Sequence, residues 1–178
     1  MKKIVITAVI TFCACVGVLA QSRDSIEFMG LSLCDNDTTA FCSLLKDKGY
    51  TFLGEKDGTI MYKGVFANLA AEAMVVPFGG SDKVNAVIIF LNDLNPMKMG
   101  ALYAELMQKF MAKYQDYKYD TVVDNNGNTT TSFRNDVGFV ALQSSVSGIG
   151  KCKISIYYSC SKSATDNSTN KGIGVDDL

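Results

Sequence analysis

The side chains with catalytic potential are scattered along this 178-residue sequence. Histidine is absent, which removes the commonest general base, the Ser-His and Cys-His nucleophile pairs and every imidazole metal ligand. Aspartate, glutamate, serine, lysine and tyrosine are available, but no spacing places a nucleophile beside a base. The sequence therefore predicts a non-catalytic protein with no cofactor and no metal site.

One segment is similar to the opening of a calcium-binding loop. Asp124-x-Asn126-x-Asn128 offers oxygen ligands at alternate positions, but no glycine stands at the sixth position and no glutamate at the twelfth. A hairpin turn explains the same residues, and we expect a turn. Gly148-Ile149-Gly150 and Gly172-Ile173-Gly174 lack the strand-to-helix context of a phosphate loop and are expected to be loop glycines.

Four cysteines follow the N-terminal leader, and their even number favours disulfides over buried thiols. Cys152 and Cys160 fall on one expected strand, where an extended chain holds them on the order of 26 Å apart. A disulfide needs Cα atoms within about 7 Å, so these two should not pair. The candidate bridges join Cys34 to Cys42, or join one of these to one of the late pair.

A repeated tripeptide suggests covalent modification. Asp followed by Ser or Thr and then by an aliphatic residue or Thr occurs at Asp24-Ser25-Ile26, Asp37-Thr38-Thr39 and Asp120-Thr121-Val122. The pattern resembles the O-glycosylation consensus of some gram-negative secreted proteins and would modify Ser25, Thr38 and Thr121. Asp-Ser and Asp-Thr also serve as helix caps and turns, and we favour that explanation.

The N-terminus has the pattern of an export signal over residues 1–20. Lys2 and Lys3 precede an apolar core too short to span a bilayer comfortably, and Val18-Leu19-Ala20 suits a signal peptidase. Lipoprotein processing at Cys15 is the alternative, although Phe12 fits a lipobox poorly. We expect a periplasmic or secreted protein with no transmembrane segment in the mature chain.

The charge balance excludes one class of partner. The chain has 17 Lys and Arg residues against 18 Asp and Glu residues, and no basic run or stripe occurs. Nucleic acid is therefore not an expected partner.

A strand followed by a helix organises the rest of the chain. Residues 84–91 are β-rich and apolar apart from one Asn, which predicts a strand buried on both faces for most of its length. Asn95-Pro96 then supplies an N-cap and a first-turn proline for a helix over 96–114. Before this pair we predict a short strand over 26–33, a helix ending at Gly49 and strands at 50–53, 59–66 and 70–76. A hairpin turn at Asp57-Gly58 is predicted to join the strand at 50–53 to the strand at 59–66.

The second half repeats this order with strands predicted at 117–123, 129–134, 137–144 and 151–160. The sequence thus predicts an α+β fold of two tandem helix-plus-four-strand repeats, about 26–91 and 95–160. These form an antiparallel sheet with both helices on one face, within a single domain over 21–160. Residues 161–178 are predicted to be a polar tail.

Several motifs are similar to those of a group of small secreted bacterial proteins: Phe28-Met29-Gly30, Phe41-x-x-Leu44-Leu45-x-x-Lys48-Gly49-Tyr50, Tyr62-Lys63-Gly64-Val65-Phe66 and Val175-Asp176-Asp177-Leu178. The resemblance implies a fold like that of the β-lactamase inhibitor protein and of PepSY-like periplasmic domains. The chain departs from the group at Tyr114-Gln115-Asp116-Tyr117, where relatives tend to have Tyr-Gly-x-Pro. The resemblance carries no catalytic residues, and a binding role on this fold is an analogy.

The leading functional hypothesis is an exported binding module that engages a protein or a small ligand through the helix-free sheet face or its loops. An envelope structural or stress role without a defined ligand is second, and a hydrolytic enzyme with an unrecognised site is third. Alternation on the last strand turns Tyr157 to the open face and Cys152, Ile154, Ile156 and Tyr158 to the helices. A binding patch would form if Tyr117, Tyr119 and Phe133 joined Tyr157; the alternative is that they fill the core.

Overall fold

The computed structural model describes residues 25–79 and 81–161. The expected leader, the lipoprotein alternative at Cys15 and residues 162–178 of the expected tail lie outside these ranges. The elements follow in the order β1 (Glu27–Phe28), β2 (Leu31–Ser32), α1 (Thr38–Asp47), β3 (Thr51–Lys56), β4 (Thr59–Phe66), β5 (Leu69–Pro77), β6 (Val84–Leu94), α2 (Pro96–Lys113), β7 (Lys118–Val123), β8 (Thr129–Asn135), β9 (Gly138–Gly148) and β10 (Lys151–Cys160).

Eight strands form one antiparallel sheet in the order β3-β4-β5-β6-β10-β9-β8-β7. The predicted α+β class is therefore confirmed. Short hairpins join neighbouring strands within each half, and β6 pairs with β10 at the centre. In each run of four strands the first, β3 or β7, lies at an outer edge of the sheet and the last, β6 or β10, lies in the middle.

Both helices pack on the same face of the sheet. α1 contacts β3 and β5, while α2 contacts β9 and β10. One cross-strand row follows the register through Ala73, Ile89, Ile156 and Leu142, and all four side chains are buried. Side chains opposite each other in an antiparallel ladder share a face of the sheet. This row therefore connects the buried sheet surface under α1 with the buried sheet surface under α2.

The helix signals in the sequence act as expected. The Asn95 side chain accepts a hydrogen bond from the Lys98 amide at 2.8 Å, and Pro96 opens α2. The Asp37 carboxylate caps α1 in the same way, accepting from the Ala40 amide at 2.8 Å. Phe41 and Leu45 of α1 and Leu106 and Phe110 of α2 are buried against the sheet, so each amphipathic stripe becomes core.

The predicted strand over residues 26–33 is wrong. This segment is a two-stranded hairpin outside the main sheet, with Phe28 paired to Leu31 across Met29-Gly30. Both turn residues have positive φ, 50° at Met29 and 89° at Gly30. A methionine rarely adopts this conformation, so the alternating pattern concealed the turn. Phe28 still reaches the core, where its ring meets Tyr158 with centroids 5.2 Å apart.

One disulfide ties the hairpin region to the last strand. Cys34 and Cys160 are bonded with Cα atoms 5.7 Å apart, which is one of the cross-pairings that the sequence left open. Cys42 and Cys152 are free, so the Cys34–Cys42 alternative is wrong. Cys152 and Cys160 do not pair with each other, as expected, because they lie on one continuous strand.

The two edges of the sheet differ. At β3 the register with β4 shifts between Phe52 and Gly54, which marks a bulge. At β7 the register with β8 is unbroken from Lys118 to Val123. β-Bulges protect sheet edges against pairing with another strand, so β3 is protected in a way that β7 is not.

Candidate functional site

The candidate site is the sheet face that neither helix covers. Two cross-strand rows run across it from β4 to β7, each with one residue per strand. The first, the Tyr157 row, consists of Met61, Met74, Ile88, Tyr157, Ala141, Ser132 and Asp120. The second, the Phe90 row, consists of Lys63, Glu72, Phe90, Ser155, Gln143, Thr130 and Val122.

The chemistry changes from one half of this face to the other. On β4, β5 and β6 the Tyr157 row is wholly apolar, and Met61, Met74 and Ile88 are half-buried. On β7 and β8 the two rows carry Asp120, Ser132 and Thr130 together with Val122. The Tyr157 row is therefore amphipathic, with an apolar end and a polar end that meet at β10, whereas the Phe90 row has the charged residues Lys63 and Glu72 at its β4 and β5 end.

Tyr157 stands where the two ends meet. Its hydroxyl donates to the Gln143 side-chain oxygen at 3.1 Å, and the Gln143 amide donates to the Thr130 hydroxyl at 3.2 Å. This chain of hydrogen bonds crosses β10, β9 and β8 and holds three side chains in fixed orientation. Each link leaves capacity for a further bond, because hydroxyl and amide groups can both donate and accept.

A cavity of about 310 Å³ lies over this hydrogen-bonded chain. Its lining comprises Asp120, Val122, Thr130, Ser132, Arg134, Phe139, Ala141, Gln143 and Tyr157. The Arg134 guanidinium lies 5.4 Å from the centre of the Phe139 ring, and its Nε donates to the Ser132 hydroxyl at 3.3 Å. The volume is at the lower end of the range typical of small-molecule sites.

Arg134 also borders a second cavity at the end of β7 and β8. This space of about 660 Å³ is lined by Asp116, Tyr117, Lys118, Arg134, Asn135, Asp136 and Val137. The two cavities therefore share one basic side chain. Arg134 is exposed, and it is the one cation common to the linings of these two cavities.

Ser155 is an unusual member of the Phe90 row. It is fully buried, and its hydroxyl has no hydrogen-bond partner among the described residues. Phe90 and Gln143 stand directly opposite it on the two neighbouring strands. The Lys153 ammonium lies 5.2 Å from the centre of the Phe90 ring, so a cation, an aromatic ring and an amide group occupy this part of the open face.

The four aromatic residues proposed for the binding patch do not come together. Tyr157 is half-buried on the open face, as expected. Phe133 is 1% exposed and lies on the helix face, with its ring 6.1 Å from that of Phe110 and 5.8 Å from that of Tyr114. Tyr117 precedes β7 and is also buried, with its hydroxyl donating to the Ser25 carbonyl oxygen at 3.5 Å. The core alternative is therefore correct for these two.

Tyr119 is exposed but points to the wrong face. It stands opposite Phe133 in the ladder, with ring centroids 6.2 Å apart, and 61% of its surface is accessible. Register decides the outcome, because a shift of one residue would have turned Tyr119 to the open face and Lys118 to the helix face. The structure replaces the expected aromatic patch by the amphipathic face around Tyr157.

Burial sets the chemistry of the tyrosines beneath the helices. Loss of hydration raises the pKa of Tyr62, Tyr114 and Tyr158 well above the usual value of 10.0. For Tyr62 a hydrogen bond with the Cys42 thiol adds to the rise. Neutral, buried phenols of this kind are structural, and none of them lines the open face.

The remaining candidate residues have structural roles in the described part of the chain. Asp124 organises the β7–β8 turn: its carboxylate accepts from the Asn126 amide at 2.8 Å and the Asn128 side chain at 2.7 Å. These bonds lower the pKa of Asp124, the Asn128 side chain contributing most. In residues 25–79 and 81–161 no group of three or more Cys, Asp or Glu side chains could hold a metal ion.

The three candidate glycosylation sites differ in accessibility. Ser25 is buried, and Thr38 is half-buried in the first turn of α1 next to the capping Asp37. Thr121 is exposed on β7, and its hydroxyl lies 2.9 Å from that of Thr131. Only at Thr121, among these three, does the fold leave the hydroxyl-bearing residue exposed.

Comparison of the chain with protein-family models, with curated proteins and with solved structures gives no match. No helix within residues 25–79 and 81–161 is long and apolar enough to cross a bilayer.

Proposed function

We propose that this protein is an exported, non-catalytic binding module that engages a protein partner through the open face of its sheet. We also propose that the sheet is built from two tandem repeats of a helix and four strands, arranged as in the β-lactamase inhibitor protein. The strand order supports the second statement, because each half runs from an outer edge to the centre and carries its own helix.

The observation that carries the binding proposal is the apolar end of the Tyr157 row. Met61, Met74 and Ile88 lie side by side on three adjacent strands, on the face of the sheet opposite the two helices. Phe90 extends the same apolar area into the next row. A sheet face that is only structural normally presents polar side chains to water, so a contiguous apolar area of this kind favours contact with a partner.

The side-chain types favour a protein partner. Methionine and aromatic residues are enriched at protein interfaces, because they bring large contact area and adapt to the partner's shape. Tyr157 adds a ring whose hydroxyl is already hydrogen-bonded to Gln143, and Arg134 stands at the polar end. An apolar centre with tyrosine and arginine nearby is the composition in which binding hot spots are found.

Three observations support the absence of catalysis. Histidine is missing from the whole sequence. The hydroxyl and amide groups of Tyr157, Gln143 and Thr130 are bonded to one another, and none of these three side chains is a carboxylate, an amine or a thiol. Among the residues bordering the 310 Å³ cavity, only Asp120 and Arg134 are charged. Oriented neutral groups can recognise a ligand but do not activate a nucleophile.

Export is supported by the Cys34–Cys160 bond, because disulfides persist in oxidising compartments. The leader over residues 1–20 supports it independently. We therefore place the binding event in the periplasm or outside the cell.

The proposal is tested by capture from native periplasm and culture medium with the tagged mature protein. Met74→Lys places a charge in the apolar end of the Tyr157 row, where its head group can still reach water. Met97→Lys is the matched control, since Met97 is 85% exposed at the start of α2 and lies far in the fold from the open face.

We expect one protein to be captured by the wild type and by Met97→Lys and to be lost with Met74→Lys, at unchanged melting temperature. Equal capture by all three forms would contradict the proposal. If no protein is captured and a small molecule instead co-purifies with the wild type but not with Tyr157→Ala, the cavity rather than the apolar area is the functional site.

A further inference from the structure

We propose that two copies of this chain associate through their β7 edges in one defined register, which joins the two sheets into a continuous antiparallel sheet. β7 is the edge strand at one end of the sheet, and all six of its residues are exposed. Three of them are large and apolar: Tyr119, Val122 and Val123 are each more than half exposed.

In the described structure this edge is less protected than the opposite one. Its pairing with β8 is regular over the whole strand, with no bulge and no proline. The opposite edge, β3, is interrupted by the register shift at Phe52 and Gly54. Proteins commonly prevent an edge strand from pairing with another chain by means of a bulge, a proline or charged side chains. Of these, β7 has only two charged residues, Lys118 and Asp120.

The two faces of β7 restrict how it could pair with itself. Tyr119, Thr121 and Val123 lie on the helix face, because Tyr119 stands opposite Phe133 and Thr121 opposite Thr131. Lys118, Asp120 and Val122 lie on the open face. Opposed residues in an antiparallel ladder share a face, so a two-fold axis must pass through a residue of β7 rather than between two residues.

Among the residues of β7 through which the two-fold axis could pass, Thr121 alone gives complementary residue pairs over most of the strand. Tyr119 then stands opposite Val123 of the second copy on the helix face. On the open face Lys118 stands opposite Asp124 of the second copy, the residue that follows β7, and Asp120 stands opposite Val122. By symmetry each of these pairs occurs twice, so an apolar pair and an opposite-charge pair lie on both sides of the axis, which stabilises a ladder.

The neighbouring registers bring like charges together or shorten the pairing. An axis through Asp120 sets the two Asp120 carboxylates opposite each other, and one through Val122 sets Asp120 opposite Asp124 twice. An axis through Tyr119 pairs only three residues of β7 and forces the buried Tyr117 into the contact. The charge pairs and the number of paired residues together therefore favour the register with the axis through Thr121. In this register the partner of β7 is the β7 strand of a second copy of this chain.

Cysteine cross-linking of the mature protein tests the register directly. In a Cys42→Ser background, Thr121→Cys places two thiols opposite each other across the axis, with Cα atoms about 4.5–5.5 Å apart, within reach of a disulfide. Val123→Cys is the matched control on the same face; in this register its two copies lie roughly 14 Å apart. With oxidised glutathione we expect a covalent dimer from Thr121→Cys and none from Val123→Cys.

Sedimentation of the wild type and two charge variants tests the association without cross-linking. Lys118→Glu turns both opposite-charge pairs into like-charge pairs and should raise the dimer dissociation constant about tenfold or more. Lys56→Glu at the bulged edge is the control and should leave this constant unchanged.

Each of the following results would overturn the proposal: a wild type that sediments as a monomer at every concentration, equal cross-linking of the two cysteine variants, or an equal effect of Lys118→Glu and Lys56→Glu. A glycan on Thr121 in the native protein would also overturn it, because two glycans would meet on the axis. The open-face proposal survives each of these outcomes, since Met74 and Ile88 lie on other strands.

Discussion

Removal of the Cys34–Cys160 disulfide should destabilise the protein strongly. The bond closes a loop with a sequence separation of 126 residues, almost the whole described chain. In the chain-entropy treatment such a loop corresponds to about 5 kcal/mol of stabilisation, and native disulfides typically measure about 2–5 kcal/mol. For a chain of this size the loss should lower the melting temperature by roughly 5 to 20 °C.

The perturbation is the double variant Cys34→Ala, Cys160→Ala, followed by calorimetry and by guanidinium unfolding. Cys42→Ala is the control, because Cys42 is free and only half-buried. Reductant should lower the melting temperature of the wild type and of the control to that of the double variant, and should leave the double variant unchanged. A wild type that is indifferent to reductant, or whose mass shows both thiols reduced after native export, would refute the reasoning.

Two further predictions concern the buried aromatic residues. Phe133→Ala should cost about 3–5 kcal/mol, because it empties a site bounded by Phe110 and Tyr114, whereas Tyr119→Ala should cost less than about 1.5 kcal/mol; equal losses in chemical denaturation would place Phe133 outside the core. Burial raises the pKa of Tyr114 and Tyr158 in the folded protein, so above about pH 10 these two tyrosines ionise in the unfolded chain before they ionise in the folded protein. The free energy of unfolding should therefore be highest below about pH 10 and fall as the pH rises above it. The Tyr114 hydroxyl makes no hydrogen bond to the described residues, so Tyr114→Phe serves as the control. This variant should lose less stability than the wild type as the pH rises above about 10, and an unchanged dependence of the melting temperature on pH would contradict the prediction.

Local signals in the sequence were sufficient for most of the elements. The ends of β4 and β10 fall at the predicted residues, and α2 starts at the predicted Pro96, because proline, glycine and the β-branched runs act locally. Asp57 and Gly58 both have positive φ, as a two-residue hairpin turn requires. The turn at Met29 was missed because its residue type carries no turn signal.

The candidate site was only partly predictable, for reasons of register. Tyr157 could be placed because the alternation of β10 is anchored by Ile154 and Ile156. Tyr119 and Phe133 could not, because β7 and β8 have mixed threonine and aromatic patterns in which either face could be apolar. Gln143 and Arg134 were missed entirely, although alternation on β8 and β9 would have placed them on the face opposite Phe133 and Leu142.

The most direct test of the open-face proposal compares one substitution on the two faces of the sheet. Tyr157→Ala and Tyr119→Ala each remove a tyrosine side chain. Tyr157 lies on the open face of β10, and Tyr119 lies on the helix face of β7. Dissociation constants for the captured partner should rise at least about tenfold with Tyr157→Ala and stay within about twofold of wild type with Tyr119→Ala. Equal affinities for both variants, or a larger loss with Tyr119→Ala, would contradict binding through the open face.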